Sequence, residues 1–372
     1  MLYADHAATT PLRPAVAEVM SPFLGARFGN SSGAHEISRR AKNALEEARE
    51  QAASIIGARP HEIVFTGGGT ESDNLAIKGA ALAGRGRRGV VTVATEHEAV
   101  LESTRFIERL GMPSRIIGVD HLGLVDPEQL AGAVNGATAV VSVMAANNET
   151  GVLQPLAEIV TSVKRSQPEA LFHTDAVQAL SALEIDVNAW GVDLLSLAAH
   201  KFGGPQGVGL LYVRSGVTLE PVVHGGGQEL GRRSGTHNVA GAVGMALAME
   251  IAAADRVRFR NTVTESRRRF EAKLSDRAER TVPEDLTLPQ HSHVRLPVRN
   301  ETMLVRLDRL GLAASAGSAC QSGAATISHV LSAMGLSPEQ ARHSLRFTFG
   351  WNSTPEEGEG AAELVLEALE AA

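Results

Sequence analysis

The sequence has little cysteine, few aromatic residues and no large excess of charge of either sign. Its 372 residues contain one Cys, and Phe, Trp and Tyr together make up 4%. A single cysteine excludes an intramolecular disulfide and any cysteine-based zinc or iron–sulfur cage within one chain, and it suits a reducing, cytoplasmic compartment. Against 42 acidic residues stand 35 basic ones, a net charge of −7. This balance argues against direct nucleic-acid binding through bulk charge.

Long hydrophobic runs are also missing. The longest apolar stretch, residues 239–249, ends at Glu250 and is too short to cross a bilayer. The N-terminal segment lacks the basic and apolar regions of a signal peptide. We therefore expect a cytoplasmic protein with no membrane contact. The hydrophobic content of 44% and charged content of 21% are those of a globular chain, and the length suits two packed domains.

Short β-rich runs alternate with helical patterns between residues 62 and 213. The predicted strands are residues 63–66, 90–94, 139–144, 171–174, 193–197 and 208–213. Several are almost wholly apolar, as is typical of strands covered on both faces. The alternation predicts an α/β fold with a mostly parallel central sheet.

A change of composition after residue 254 predicts a second, smaller domain. Residues 255–273 are rich in Arg and Glu and indicate one long exposed helix, with Arg267, Arg268 and Arg269 on its solvated face. Capping boxes at Ser337 and Thr354 predict further helices, the last of them packed on a small sheet. We expect a large domain over residues 14–254 and a smaller α+β domain over residues 1–13 and 255–372.

Polar residues directly follow five of the predicted strands. In chain order they are the glycines 67–69 with Thr70, then Glu96 and His97, residues 147–149, Asp175 with Gln178, and His200 with Lys201. The carboxyl ends of parallel strands share one edge of a sheet, where ligands bind in open α/β folds. Polar residues after five strands that end at the same edge therefore predict a ligand-binding site at this edge of the sheet.

The residue types in this set favour pyridoxal phosphate. Glycines at 67–69 let backbone amides approach a phosphate, and Thr70 can cap the helix that follows, although an ordinary turn has the same pattern. Lys201 lies beside glycines and can form a Schiff base if its ammonium is destabilised; otherwise it is a surface lysine. Asp175 ends the neighbouring strand and can pair with a pyridinium nitrogen.

His97 and Cys320 leave two interpretations each. The His97 ring can stack on a cofactor and move protons near neutral pH, or it can simply cap a helix. Cys320 lies among small residues, 313–323, and most lone cysteines are buried and inert. A loop of that composition also suits a nucleophile that travels to its substrate.

Motifs along almost the whole chain resemble those of one enzyme family. They are YADHAATTP (3–11), GGGTESDNLAIKG (67–79), TEHEAV (95–100), VMAANNETGVLQP (143–155), HTDAVQA (173–179), HKFGGPQGVG (200–209), GGGQELGRRSGTHN (225–238), SAGSACQSG (315–323) and SLRFTFG (344–350). In this combination and order the chain resembles the cysteine desulfurases of the NifS/IscS type, within the class V aminotransferase-like group. The resemblance implies the type I fold of pyridoxal-phosphate-dependent transferases.

The resemblance also implies a role for each motif residue. The implied cofactor ligands are Lys201 as covalent attachment point, His97 stacked on the ring, Asp175 at the ring nitrogen, Gln178 at the phenolic oxygen, Gly69, Thr70 and His200 at the phosphate, and Thr236 from the second subunit of a homodimer. Asn148 and Arg346 would hold the substrate carboxylate. The implied reaction converts L-cysteine to L-alanine, with His97 or Lys201 carrying protons and Cys320 taking the sulfur as a persulfide. A sulfur-acceptor protein, such as an iron–sulfur scaffold or a tRNA thiolation enzyme, would then receive it.

The sequence departs from the family pattern at two places. Ala198 stands where the family has a phosphate-binding serine, and residues 30–35 read NSSGAH rather than NPSSxH. Three other functions remain open: a selenocysteine lyase or other pyridoxal-phosphate-dependent C–S lyase, a non-catalytic relative, and, more distantly, a metal-dependent hydrolase using His173, Asp175 and His200. We expect no metal, because the ligand spacing of such a hydrolase is missing and its site would leave Lys201 unexplained.

Overall fold

The structure is a computed structural model that describes residues 1–84, 86–317 and 327–371. Its strands are β1 Leu2–Tyr3, β2 Ile63–Thr66, β3 Gly89–Val93, β4 Ser114–Ile117, β5 Thr138–Ser142, β6 Leu171–Asp175, β7 Leu194–Ala198, β8 Gly209–Val213, β9 Glu279–Arg280, β10 His291–Arg295, β11 Leu312–Ala313 and β12 Ser344–Thr348. Its α-helices are α1 Pro14–Met20, α2 Glu36–Ile55, α3 Gly69–Ala83, α4 Glu98–Arg109, α5 Pro127–Ala133, α6 Leu156–Ser166, α7 Val187–Trp190, α8 Val239–Ala254, α9 Arg256–Leu274, α10 Asn300–Leu310, α11 His329–Ala333, α12 Pro338–Arg342 and α13 Pro355–Glu370.

A seven-stranded sheet forms the centre, in the order β2-β8-β7-β6-β5-β3-β4. Strand β8 is antiparallel to both of its neighbours, and the pairings of the other six make them run in one direction. Every residue of β2, β3, β5, β7 and β8 is buried, because helices cover both faces of the sheet. The predicted α/β fold with a mostly parallel sheet is confirmed.

Strand β4 has no counterpart among the predicted strands. It lies at the edge of the sheet and pairs only with β3 among the described strands. Its residues are half-buried or exposed, and Ile116 is 43% exposed. An edge strand of this kind lacks the apolar run that marked the buried strands.

The C-terminal part carries a second, smaller sheet, in which β10 lies between β9 and β12 in antiparallel order. Helices α9 and α13 pack together beside it, and the Phe270 ring lies 4.7 Å from Phe347 and 5.9 Å from Phe349 between ring centroids. Both predicted capping boxes form, at Ser337 and at Thr354. The predicted amphipathic C-terminal helix is therefore present, and it packs on helices α9 and α10.

Helix α9 corrects the prediction of a solvated arginine face. The Arg267 side chain is only 4% exposed, and its guanidinium donates to Glu271, Glu284 and the Pro289 carbonyl. Arg268, by contrast, is 60% exposed. The prediction was wrong for Arg267 because Glu284 and Pro289 lie on a following segment that a local charge pattern does not include.

The predicted domain boundary falls at a single residue between two helices. Asp255 ends α8 and begins α9, and it pairs with Arg13 at 3.7 Å and Arg258 at 2.6 Å. As a division into domains at residue 254 it stays a prediction. Among the helices of the described ranges, none combines the length and apolarity that a membrane span requires.

Candidate active site

The carboxyl ends of β2, β3, β5, β6 and β7 meet at one edge of the central sheet, and a cleft of about 1100 Å³ opens there. Nine of the residues that the sequence singled out line this cleft: Gly69, Thr70, His97, Asn148, Asp175, Gln178, His200, Lys201 and Arg346. The structure thus brings together residues that are up to 277 positions apart in the sequence. Their individual roles stay predictions.

Lys201 follows β7 in a short 3-10 turn and reaches across to the N-terminal segment. Its Nζ donates to the carbonyls of Ala7 and Ala8, the latter at 2.9 Å. Burial, and after it the nearby Arg346 cation, lowers the pKa of the Lys201 ammonium to about 8, against the opposing effect of Asp175 and Asp5. A lysine whose neutral form is accessible near physiological pH can act as a nucleophile toward an aldehyde.

Asp175 is the last residue of β6 and is 6% exposed. Its Oδ1 accepts a hydrogen bond from the Val177 amide at 2.9 Å. Burial raises the pKa of the carboxyl, while His97, the Val177 amide and Lys201 act in the other direction. A buried carboxylate that faces a cleft is stabilised by a cationic ligand, such as a protonated ring nitrogen.

The glycine loop shapes the anion-binding end of the cleft. Gly68 is the N-cap of α3, with φ 151° in a region that only glycine adopts readily. A Cβ on Gly209 would lie 2.5 Å from the Gly68 backbone, so the chain passes close there. Thr70 is not the cap that the sequence suggested; it is the second residue of the helix. The first amides of a 15-residue helix therefore face the cleft edge, where they favour a phosphate.

Two histidines lie at the cleft wall. His97 caps α4, and its Nδ1 accepts from the Ala99 amide at 3.1 Å, so the capping interpretation is correct and the ring lines the cleft as well. With Nδ1 accepting, a neutral ring carries its proton on Nε2. His200 Nδ1 lies 3.1 Å from Thr9 Oγ1, and burial, together with Lys201, lowers its pKa to about 4.

Arg346 provides the cation for a carboxylate. The side chain is 4% exposed; Nη2 donates to Asp5 Oδ1 at 2.6 Å and Nη1 donates to the Asn148 carbonyl at 2.7 Å. Its Nε has no partner among the described residues. No role for Asp5 was predicted from the sequence, although this residue lies in the N-terminal motif. Residues 5–8 cross the mouth of the site and supply acceptors for both Arg346 and Lys201.

These residues fit pyridoxal phosphate. Lys201 offers the amine for the aldehyde, Asp175 offers a buried carboxylate for the ring nitrogen, and the start of α3 offers amides for the phosphate. Gln178 donates from Nε2 to the Ala7 carbonyl at 3.0 Å and lines the same cleft. A Cβ on Gly69 would lie 3.0 Å from the Val177 side chain, so a larger residue at this edge of the cradle would have to displace Val177.

The geometry does not support the alternative of a metal-dependent hydrolase with His173 as a ligand. Both ring nitrogens of His173 are engaged, Nδ1 with Ser142 at 2.8 Å and Nε2 with Ser196 at 2.9 Å, and the side chain is fully buried. In the portions of the chain that are described, no three His, Cys, Asp or Glu side chains form a group able to hold a metal ion.

One described residue that the sequence predicted for the site does not line this cleft. Thr236 is exposed and does not line it, so its contribution to a second subunit stays a prediction. Cys320, the predicted sulfur acceptor, lies outside the described residues. The described residues on its N-terminal side, Ser315 and Gly317, do line the cleft.

Comparison with known proteins agrees with this site. The model of the family "Aminotransferase class-V" matches residues 2–359. The cysteine desulfurase IscS of Dictyoglomus turgidum is 44% identical over 96% of this chain and 91% of its own length. A solved NifS-like protein superposes with a TM-score of 0.93 at 36% identity, covering 99% of both chains. The structure of SspA in complex with cysteine has a TM-score of 0.83 at 36% identity over 94% of this chain and 99% of that one.

The resemblance drawn from the sequence motifs, and the type I fold that it implied, are therefore confirmed. The chain belongs to the class V aminotransferase family, with cysteine desulfurases of the IscS and NifS type among its relatives, and the cofactor of that family is pyridoxal phosphate.

Proposed function

We propose that the chain is a cysteine desulfurase that converts L-cysteine to L-alanine and leaves the sulfur on Cys320 as a persulfide. The observation that carries the proposal is the cleft itself, which holds a lysine with a pKa of about 8, a buried Asp175 and a buried Arg346. The IscS relative at 44% identity and the cysteine-bound SspA structure support the same substrate.

The cofactor would be held by residues at both ends of the cleft. Lys201 would bind it covalently, Asp175 and Gln178 would contact the ring, and Gly69, Thr70 and His200 would surround the phosphate. When bound, pyridoxal phosphate supplies an electron sink that stabilises negative charge at the substrate α-carbon. Ala198 removes one phosphate contact that the family pattern has, and the α3 amides remain.

Substrate orientation would fall to Arg346 and Asn148. The Arg346 guanidinium is fixed from two sides by Asp5 and the Asn148 carbonyl, so little side-chain freedom is lost when a carboxylate binds. Its position next to Lys201 also lowers the pKa of that amine, after burial. One cation thus fixes the substrate and makes a neutral base available near it.

The reaction balances without an external oxidant. The thiolate of Cys320 provides the electron pair for the new S–S bond, the C–S bond breaks, and its electron pair stays on Cβ, which takes a proton. Protons leave the substrate α-carbon and thiol, and protons return to the α-carbon and Cβ of alanine. Lys201 would accept and return the α-proton, and His97, which lines the same cleft, would be a second proton donor through Nε2.

A homodimer would complete the site through Thr236. Three large apolar residues near that segment are exposed, Leu24 at 74%, Phe28 at 65% and Leu230 at 73%. Ser31 Oγ and His237 Nδ1 are 2.8 Å apart, which joins the segments that carry them. Exposed apolar residues gathered on one face are typical of an interface, and a second copy is the partner we propose.

The decisive test of this function uses the protein loaded with pyridoxal phosphate. We expect L-alanine to appear when L-cysteine is added, and mass spectrometry to find one extra sulfur on Cys320. Cys320→Ser should still bind L-cysteine but release little sulfide. Wild-type sulfide release by Cys320→Ser would assign the protein to simple C–S lyases, and a much faster reaction with selenocysteine would favour a selenocysteine lyase. Incubating the persulfide form with an iron–sulfur scaffold or with a tRNA thiolation enzyme then identifies the acceptor protein as the one that removes the extra sulfur.

A further inference from the structure

A second, smaller cavity lies behind Lys201, on the side away from the cofactor cleft. The two share Ala7, Val177, Gln178 and Lys201 as lining residues. On its far side the small cavity shares Phe259, Gly350 and Trp351 with a surface groove of about 920 Å³. The small cavity is thus lined by Lys201 and also by residues of the surface groove, so it lies next to both.

Polar atoms without partners are concentrated on the small cavity. No hydrogen bond of ordinary geometry reaches His6 Nδ1, Gln290 Oε1 or either ring nitrogen of His291 from the described part of the chain, although the Tyr3 and Asn148 backbones lie near the two rings. Their residues are 5%, 6% and 0% exposed, and all three line the cavity. Buried polar atoms that lack a protein partner are commonly bound to ordered water.

The backbone around these side chains is built to accommodate them. A Cβ on Gly350 would lie 2.0 Å from His6 Nδ1, and a Cβ on Gly151 would lie 2.6 Å from His291 Cβ. Neither glycine can become alanine without moving a histidine ring. The rings therefore occupy space that only these glycines leave free.

Both histidines are neutral under ordinary conditions. Burial lowers the pKa of His6 to about 4, and burial, followed by the Arg346 cation, lowers the pKa of His291 to about 3. A neutral imidazole has one donor and one acceptor nitrogen, so it can receive a proton from a water on one side and pass one on at the other. His6 is also fixed by its edge contact with Tyr3, at 4.8 Å between ring centroids.

We propose that this cavity holds ordered water, bound by His6, Gln290 and His291, through which Lys201 exchanges protons with solvent while substrate fills the cleft. The proton part of this proposal rests on the proposed function, since it is the α-proton of the substrate that Lys201 would take up. The water part does not depend on that function.

A high-resolution crystal structure of the wild-type protein tests the water. We expect ordered density within hydrogen-bond distance of His6 Nδ1 and of Gln290 Oε1. A dry cavity, with the rings in the positions described above, would overturn the proposal whatever reaction the enzyme catalyses.

Deuterium transfer tests the proton route. Turnover of unlabelled L-cysteine in D₂O should give L-alanine whose α-position is largely deuterated, because the proton on Lys201 is lost to solvent before it returns. Gln290→Leu removes one water ligand at nearly constant size. We expect this variant to raise the fraction of alanine that keeps protium at its α-carbon by about threefold or more, because one bridging water has lost a ligand.

The matched control is Asn352→Leu, the same change at an exposed residue that lines only the outer groove. It should retain as little protium as the wild type. Equal retention in wild type, Gln290→Leu and Asn352→Leu would overturn the proton route. If none of the three forms alanine, the proposed function fails and the crystal structure alone decides the water site.

Discussion

Two pairs of opposite charge behave in contrary ways. In the first pair, Arg49 donates to both carboxylate oxygens of Glu229, at 2.8 and 2.9 Å, and Glu229 also accepts from the Phe65 amide. Although burial opposes it, hydrogen bonds from His237 and Arg49 lower the pKa of Glu229 to about 2. Lys201 and Asp175 form a pair of another kind: they line one cleft and act on each other's pKa, but no hydrogen bond or ion pair joins them in the described part of the chain, and Lys201 is half-buried. Here burial dominates: the pKa of Lys201 falls to about 8 and that of Asp175 rises.

The difference lies in how completely each charge is satisfied. Arg49 and Glu229 have partners for most of their donor and acceptor atoms, so the pair is an element of architecture that joins α2 to the segment before α8. Among the described residues, Lys201 donates to two backbone carbonyls, and Asp175 accepts from one amide. Charges buried with incomplete pairing are typical of sites that await a ligand. Four substitutions can break or sharpen this contrast.

The largest effect should come from removing the amine. We expect Lys201→Ala to lower the rate of alanine formation by about a thousandfold or more, because the nucleophile and the base are lost together. The matched variant is Lys164→Ala, whose ammonium is paired with the Asp193 carboxylate at 2.6 Å and donates to the Ala170 carbonyl. It should keep near-normal kcat in a coupled alanine assay. Similar losses in both variants would mean that Lys201 is merely one more structural lysine.

Breaking the architectural pair should affect stability instead. Arg49→Met removes the cation and leaves the buried Glu229 carboxylate with the His237 ring and the Phe65 amide as partners, and we expect the free energy of unfolding to fall by about 3–5 kcal/mol. Urea unfolding of the cofactor-free protein measures it, and Lys201→Ala should unfold at close to the wild-type midpoint in the same experiment. A loss below about 1 kcal/mol in Arg49→Met would show that the pair is no stronger than a surface ion pair.

The next largest effect should be the pH dependence of the stabilisation that Glu229 contributes. Because the folded-state pKa of Glu229, about 2, lies below its ordinary value of 4.5, its contribution is present above pH 4.5 and is lost as the pH falls toward 2. We expect wild type to be more stable than Glu229→Gln by about 3 kcal/mol at pH 7, with the gap closing over that acid range. A gap that stays constant down to pH 2 would contradict the lowered pKa.

The smallest effect should come from adding a partner to the open site. Ala198→Ser restores the hydroxyl of the family pattern beside Gly69, and we expect pyridoxal phosphate to bind about tenfold more tightly through one hydrogen bond to a charged group. Equilibrium dialysis of the cofactor measures this, with the urea midpoint of the cofactor-free variant as a control for folding. Unchanged affinity would place the phosphate away from Ala198.

Local patterns in the sequence were sufficient for the sheet and for most of the cleft. Apolar runs marked the buried strands to within a residue or two, and the polar residues after them, from Thr70 to Lys201, came together because parallel strands end at one edge. Strand β4 was not predicted, because an edge strand has no such apolar run. The cap of α3 was predicted at Thr70 but lies at Gly68, because only glycine readily adopts the φ required there.

Contacts between distant segments were invisible to the same reasoning. Arg346 pairs with Asp5 across 341 positions, and Arg267 is buried by Glu284 from a following segment. Nothing in the composition around Asp5 or Arg267 distinguishes a partnered side chain from a solvated one. The small cavity at His6 and His291 likewise forms only when the N-terminal segment packs on the C-terminal sheet.

The central claim is that Lys201 is the one amine in the cleft that binds the cofactor. Loading the protein with pyridoxal phosphate, reducing it with borohydride and mapping the peptides by mass spectrometry tests this directly. The account predicts a stable pyridoxyl group on Lys201 and none on Lys164 or Lys78. A label on another lysine, or no label at all after loading, would contradict it.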